Sequence, residues 1–249
     1  MPFYRITYNE KFRFSTLHNY GCSFNCPVCS YKLHSGAGGK PGRHHPKPSR
    51  FLSEEEMKGI LLSVQLARVN FMGGEPSIAV ELPELLAFSK KCLSVKTFLG
   101  HTNGSNIPMA NLDGANVGLK AWDEKVHMRY TGKNKWKIFD NFARAHASGM
   151  ELKANVVYVP GLVDVDQVEA IAEWISRLSK DIPFHIMGYI PVPGQKYTRP
   201  TQEQMETAVK ICSRHLKTVN SSHLSPDEAK NIYSRDDRFK VRILIDTCE

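Results

Sequence analysis

Three thiols fall within eight residues in Tyr20-Gly-Cys-Ser-Phe-Asn-Cys-Pro-Val-Cys-Ser30, where Cys22, Cys26 and Cys29 follow the spacing C-x3-C-x2-C. Thiolate is a soft ligand suited to zinc or to an iron–sulfur cluster. Three ligands are one short of a closed tetrahedral site, and an open position is what a catalytic centre keeps. The spacing by itself leaves three readings: an open iron–sulfur site, a zinc site completed by a distant His or Cys, and three unrelated cysteines.

A second constellation is Gly73-Gly74-Glu75-Pro76. Two residues without Cβ let a backbone approach a ligand closely, although the same dipeptide serves ordinary turns. Between the two motifs, residues 33–50 interleave Gly36, Gly38, Gly39, Pro41, Gly42, Pro46 and Pro48 with Lys40, Arg43, His44, His45, Lys47 and Arg50. This composition predicts a flexible basic loop, more simply a solvated surface than a lid or an anion contact. The adjacent His44 and His45 read as exposed residues rather than ligands.

The elements that must position these residues alternate along the chain. Hydrophobic patterning predicts strands over 13–17, 68–72, 97–102, 115–119, 152–159 and 184–190. Helices are predicted after Ser53, with Glu56 closing a capping box, over 82–90, and over 135–147 burying Trp136, Phe139 and Phe142. Further helices follow, one capped by Asp166 with Glu169 and one opened by Thr201 with Gln204. Strand–helix alternation implies parallel β–α units with right-handed crossovers. Six units are too few for a closed eight-unit barrel, so a partial barrel or an open doubly wound sheet remains. In both, ligands gather at the C-terminal ends of the strands, where the cysteine loop, the Gly-Gly-Glu-Pro turn, Thr102-Asn103-Gly104 and Pro160-Gly161 all fall. The tail is less regular, with an edge strand over 240–245.

The chain has 249 residues, 41% hydrophobic and 23% charged, which suits a soluble globular α/β protein with a sizeable core. Residues 1–11 hold no apolar h-region and no run approaches a membrane span, so a cytoplasmic protein with no membrane partner is expected. Six cysteines with one tight triplet do not resemble a secreted disulfide framework. Cys92, Cys212 and Cys248 are isolated; Cys212 fits the apolar face of its helix, and Cys248 reads as a frayed tail, with a substrate-side role as the alternative. The net charge of +8 permits an anionic partner. A nucleic-acid reading rests only on that charge and residues 43–50, without interleaved stacking aromatics, and is set aside.

With both motifs at the ends of predicted strands, the sequence resembles the radical S-adenosylmethionine (radical SAM) superfamily. The resemblance covers about residues 13–190 and implies an α/β fold, a partial (β/α)6 TIM-like barrel, with a C-terminal extension over about 191–249 and one core domain spanning 1–249. It implies that Cys22, Cys26 and Cys29 hold three irons of a [4Fe-4S] cluster, the fourth iron taking S-adenosylmethionine (SAM), with Gly73, Gly74 and Glu75 at the methionyl end. Reductive cleavage of SAM to a 5′-deoxyadenosyl radical, which abstracts hydrogen from a substrate, would be the chemistry; a flavodoxin- or ferredoxin-type electron donor follows as a partner.

Within the superfamily, Val117-Gly-Leu-Lys-Ala-Trp-Asp123, Tyr130-Thr131-Gly132 and Val156-Val-Tyr-Val-Pro-Gly-Leu-Val-Asp164 are similar to stretches of the activating enzymes of glycyl radical enzymes. That likeness implies Asn103 and Lys120 near the SAM carboxylate and Asn155 near the nucleoside. The chain departs from the activase pattern at His101 and Gly118, where activases carry cation-binding aspartates, at Val28, usually aromatic, at Asn155, where the family is basic, and in lacking a ferredoxin-like insert. A radical SAM oxidoreductase-like enzyme with a small-molecule or protein substrate is therefore expected. A glycyl-radical-enzyme activase is the alternative, and a non-catalytic zinc or iron–sulfur electron-transfer module the alternative of another class. Tyr158, Tyr189, His185 and Cys248 are candidates for substrate chemistry by residue type alone.

Overall fold

Short runs rich in β-branched and aromatic residues, separated by turns bearing Gly, Pro and Asn, produce the strands. The computed structural model describes residues 2–231 and 236–248. Both ends of the expected 1–249 domain, and 232–235 in its extension, lie outside the described residues. In chain order the elements are β1 (Phe3–Asn9), β2 (Phe14–Asn19), α1 (Lys32–Ser35), α2 (Glu54–Leu62), β3 (Arg68–Met72), a 3-10 turn (Pro76–Ile78), α3 (Leu82–Lys91), β4 (Lys96–Thr102) and β5 (Gly114–Gly118). They continue with α4 (Glu124–Thr131), α5 (Trp136–Ala147), β6 (Glu151–Tyr158), α6 (Val165–Leu178), β7 (Phe184–Gly188), α7 (Gln202–Cys212), β8 (Val219–Ser222), α8 (Pro226–Lys230) and β9 (Arg242–Asp246).

The strands form one sheet in the order β8-β7-β6-β5-β4-β3-β2-β1-β9. From β2 to β8 every pairing is parallel; β1 lies antiparallel between β2 and β9. With β8 and β9 at opposite ends the sheet does not close, as expected of a partial barrel. The six predicted strands are β2 to β7. Two strands escaped the sequence reading: β1, which precedes the expected first strand, and β8, a seventh parallel member. Along β3 and β7 burial alternates, so Val69, Phe71, Phe184 and Ile186 pack into the core while Asn70, Met72, His185 and Met187 face the opposite, concave side.

Capping chemistry holds the helices where the sequence placed them. Ser53 Oγ accepts from the Glu56 amide at 3.2 Å and the Glu56 carboxylate accepts from the Ser53 amide at 2.8 Å. Thr201 and Gln204 repeat the box. The helix assigned to Asp166 and Glu169 starts at Val165 after Asp164, whose carboxylate instead accepts from the Gly161 amide and closes the preceding turn. Trp136 is 59% exposed rather than buried, because it opens α5 and lies against the Lys135 ammonium, while Phe139 and Phe142 meet Trp174.

Candidate active site

The cysteine loop leaves the C-terminal end of β2, and glycines dock it against the loop after β3. The Asn19 side chain donates to the carbonyls of Gly21 (3.0 Å) and Glu75 (2.9 Å), and the Glu75 amide returns a bond to the Gly21 carbonyl at 2.9 Å. The Gly21 amide donates to the Gly42 carbonyl at 2.6 Å, so the middle of the predicted surface loop is built into the site; Pro41 and Gly42 are buried. Gly74 has φ +47°, and a Cβ there would lie 1.9 Å from the Gly21 carbonyl oxygen. Its amide donates to the Tyr31 hydroxyl at 2.9 Å. The Gly-Gly pair is thus demanded first by loop-on-loop packing.

Glu75 is fully buried and its carboxylate is engaged from three sides. It accepts from the Ser77 amide (3.0 Å), the Thr102 hydroxyl (2.8 Å) and the Asn103 amide (2.5 Å). Burial raises its pKa while those donors oppose the rise. A carboxylate so occupied positions the turn after β4. Asn103 carries the connection onward: its Nδ2 donates to Ser23 Oγ at 2.9 Å and faces Cys22 Sγ at 3.6 Å. One hydrogen-bonded unit therefore ties the ends of β2, β3 and β4 together.

Cys22, Cys26 and Cys29 are all free thiols within this unit, Cys26 buried and the others half-buried. Burial raises the Cys22 pKa and pushes Cys26 up to about 12; neighbouring thiols add to the rise and Lys120 opposes it. Such thiols ionise when a metal supplies the compensating charge. The donor set suits that role, since the Phe24 amide and Asn103 Nδ2 are aimed at the Cys22 sulfur at 3.4 and 3.6 Å. Among the described residues no three His, Cys, Asp or Glu side chains are grouped to hold a single ion. A cluster asks for a different arrangement, because each thiolate takes its own iron. Helix α4, unforeseen in the sequence, backs the loop: Thr131 accepts from the Asn25 amide at 2.9 Å, His127 meets Phe24 edge-on at 6.1 Å, and buried Tyr130 lies beside Cys26 and Cys29. The signal for it was Asp123, whose side chain caps Val126, with Gly132 in left-handed conformation at its end. Val28 is buried in the core.

The concave wall continues from this rim. Between Leu99 paired with Ala115 and Thr102 paired with Val117, β4 carries one residue more than β5. This bulge turns His101 toward Asn116, whose Nδ2 lies 3.4 Å from His101 Nδ1. Asn116 in turn accepts from Asn155 Nδ2 at 2.8 Å. A Cβ on Gly118 would lie 2.7 Å from Lys120 Nζ and 3.2 Å from Asn155 Oδ1. The two positions that depart from the activase pattern, His101 and Gly118, thus lie around Lys120 and Asn155. His101 is reached by water, yet the enclosing protein, Lys120 and His185 all lower its pKa, so it is neutral at pH 7.

Of the residues singled out by type, His185 faces the concavity with Nε2 3.0 Å from Ser222 Oγ. Tyr158 and Tyr189 are buried instead, Tyr189 accepting from the Val192 amide at 3.1 Å. Cys212 is core, as expected. Cys248 is not a frayed end: Thr247 donates to Tyr4 and Arg50 carbonyls, and the Cys248 amide donates to Asp246 Oδ1 at 3.1 Å.

His18, on the same wall, has Nε2 3.0 Å from Thr7 Oγ1; burial and then Arg5 lower its pKa to about 4. An unfolded histidine titrates near 6.5, so between those values the unfolded chain binds the extra proton and stability falls as pH falls. Unfolding free energy from denaturant titration is expected to drop by about 2 kcal/mol between pH 7 and pH 5 from this residue. In His18→Asn that part of the slope disappears.

A sequence profile of the radical SAM superfamily matches residues 16–175, and the chain belongs to that superfamily. Its members are enzymes that use a [4Fe-4S] cluster and SAM, and require an electron donor and a substrate. A protein of Methanocaldococcus jannaschii named, on inference, a glycyl-radical enzyme activating enzyme is 27% identical over 83% of this chain and 80% of its own length. A GTP 3′,8-cyclase of Shewanella denitrificans is 26% identical over 66% of this chain, which spans about half (49%) of the cyclase. Streptococcus suis SuiB, in a crystal structure with SAM bound, shares the fold with a TM-score of 0.63 at 16% identity, covering 88% of this chain and 52% of SuiB. No helix among the described residues is long and apolar enough to cross a membrane.

Proposed function

We propose that this chain, as a single core domain, is a radical SAM enzyme in which Cys22, Cys26 and Cys29 hold a [4Fe-4S] cluster with one iron left for SAM. The observation that carries the reading is the joining of three free thiols, the Gly73–Gly74 cradle and Asn103 into one unit at the ends of adjacent parallel strands. Gly73 and Gly74 offer backbone to the methionyl end, and Glu75 positions that backbone and Asn103 through its three accepted bonds. Asn103 and Lys120 face the SAM carboxylate and Asn155 the nucleoside. When bound and reduced, the cluster and SAM supply a 5′-deoxyadenosyl radical that takes hydrogen from the substrate. A small one-electron donor of flavodoxin or ferredoxin type and a reducing, cytoplasmic setting belong to the same reading.

Anaerobic reconstitution with iron and sulfide, followed by electron paramagnetic resonance with and without SAM, tests it. The expected result is a reduced cluster whose spectrum shifts on adding SAM, together with 5′-deoxyadenosine in the products. A colourless zinc protein, or a cluster indifferent to SAM, would sink the proposal in favour of a non-catalytic metal module.

A second reading, activation of a partner protein by abstraction from a glycine, draws on the Methanocaldococcus jannaschii relative. Deuterium transfer from a labelled glycine of a partner chain into 5′-deoxyadenosine would support it.

A further inference from the structure

In the concave wall, toward the N-terminal ends of the strands that carry the thiols' neighbours, lies a cavity of about 220 Å³ bordered by Arg68, Asn70, Met72, Asn116, Glu151 and Lys153. Along β3 and β6 these side chains alternate with Val69, Phe71 and Leu152, which are buried on the opposite face. Strand pairing sets Lys153 directly opposite Asn116. Asn116 is also the link upward, since it bonds His101 and Asn155, and Asn155 borders Lys120. A polar path therefore runs from the cavity to the ammonium whose charge is felt at Cys22 and Cys26.

The cavity's charge is unbalanced. Among the described residues neither Arg68 nor Lys153 has an ion-pair partner, and Glu151 is the one carboxylate on the lining. The Arg68 guanidinium carbon sits 5.1 Å from the Phe14 ring centroid and 5.4 Å from that of Phe98, and its Nε is buried without a hydrogen-bond partner. Rings that hold the face of a guanidinium immobilise it and leave its edge donors for a planar or tetrahedral anion. Lys153, on β6 with β4 and β5 between it and Arg68, is exposed on the same cavity lining and adds a point charge.

The geometry points to this cavity as the binding site of a small anionic substrate, its carboxylate or phosphate group received by Arg68 and Lys153 and its remainder directed past Asn116 toward the thiols. The role as substrate rests on the radical SAM reading; the binding of an anion does not. About 220 Å³ holds roughly seven waters, room for a carboxylate or phosphate group and a short chain, and the cavity is open on one side. A peptide glycine, being uncharged, would leave both cations without a partner.

The test is calorimetric titration of the anaerobically reconstituted holoprotein at low ionic strength with succinate, with inorganic phosphate and with neutral succinamide. The expected result is binding of at least one anion and not of succinamide; the anion that binds tells carboxylate from phosphate. Lys153→Gln should weaken binding about tenfold, Lys153→Arg should restore most of it, and Lys91→Gln, an exposed lysine of α3, should change nothing. Arg68→Gln should give a loss at least as large as Lys153→Gln. The proposal is overturned if neither anion binds, if Lys153→Gln binds like the parent, or if Lys91→Gln loses as much. Assay of 5′-deoxyadenosine on the same preparations separates the two claims. Lys153-dependent binding without 5′-deoxyadenosine retains the anion site and removes the radical reading; 5′-deoxyadenosine without anion binding removes this proposal alone.

Discussion

Cys26→Ala is expected to yield a protein that, after reconstitution, shows no SAM-dependent paramagnetic signal and forms 5′-deoxyadenosine only at background. Cys26 is the most enclosed of the three thiols, and burial pushes its pKa up to about 12. It stays neutral without a metal, and alanine in its place leaves a sulfur-sized void that costs the apo fold about 1 kcal/mol. On the proposed reading, however, the removed sulfur is one of three attachment points, and Cys22 and Cys29 alone would leave two irons without protein ligation. Iron and sulfide content, absorbance near 400 nm (approximately the iron–sulfur charge-transfer region) and circular dichroism together check the result. A variant that keeps its fold and also keeps a full SAM-responsive cluster would remove Cys26 from the ligand set.

Gly74→Ala is expected to be the most damaging change that removes no thiol. Alanine would have to adopt φ +47° and place its Cβ 1.9 Å from the Gly21 carbonyl oxygen and 2.8 Å from the Gly21 carbonyl carbon, both backbone atoms held by further bonds. Left-handed strain and overpacking together cost about 2–5 kcal/mol. Relief requires the two loops to part, which breaks the 2.9 Å bond from the Glu75 amide to Gly21 and shifts Asn103 relative to Cys22. The expected outcome is a lowered denaturation midpoint and SAM affinity weakened by at least about tenfold. Gly149→Ala is the control: φ +81° but nothing within 4 Å of its Cβ, so it carries only the backbone strain, about 1 kcal/mol, and leaves the SAM response intact. Equal behaviour of the two variants would show that the loop contact does not hold the site.

The candidate ligands of the proposed site are legible in the chain because they depend on residue types at short spacing. Three cysteines within one turn of loop, a Gly-Gly-Glu-Pro turn after an apolar strand, and capping boxes at Ser53 and Thr201 are local patterns, and local sterics and ligand softness suffice to interpret them. The alternation of strands and helices is equally local, and it led to a parallel, unclosed sheet. What the residues could not reveal was which of them meet across long sequence separations. Glu75 reads as a ligand-side acid until Thr102 and Asn103 are seen to occupy its oxygens. Gly42 reads as part of a solvated loop until the Gly21 amide is found bonded to it. Strand β1 lies beside β2 only because the chain returns, and Cys248 is anchored only because β9 crosses to β1. His101 was recognised as a departure from a pattern, but its direction was decided by one extra residue in β4, a register effect that no spacing encodes. The sequence by itself determined which atoms have the type and spacing of candidate ligands for a soft metal. The tertiary structure decided which of the remaining polar groups brace the candidate site and which, like Arg68 and Lys153, have no ion-pair partner among the described residues, because hydrogen-bond partners and charge balance are properties of neighbours in space.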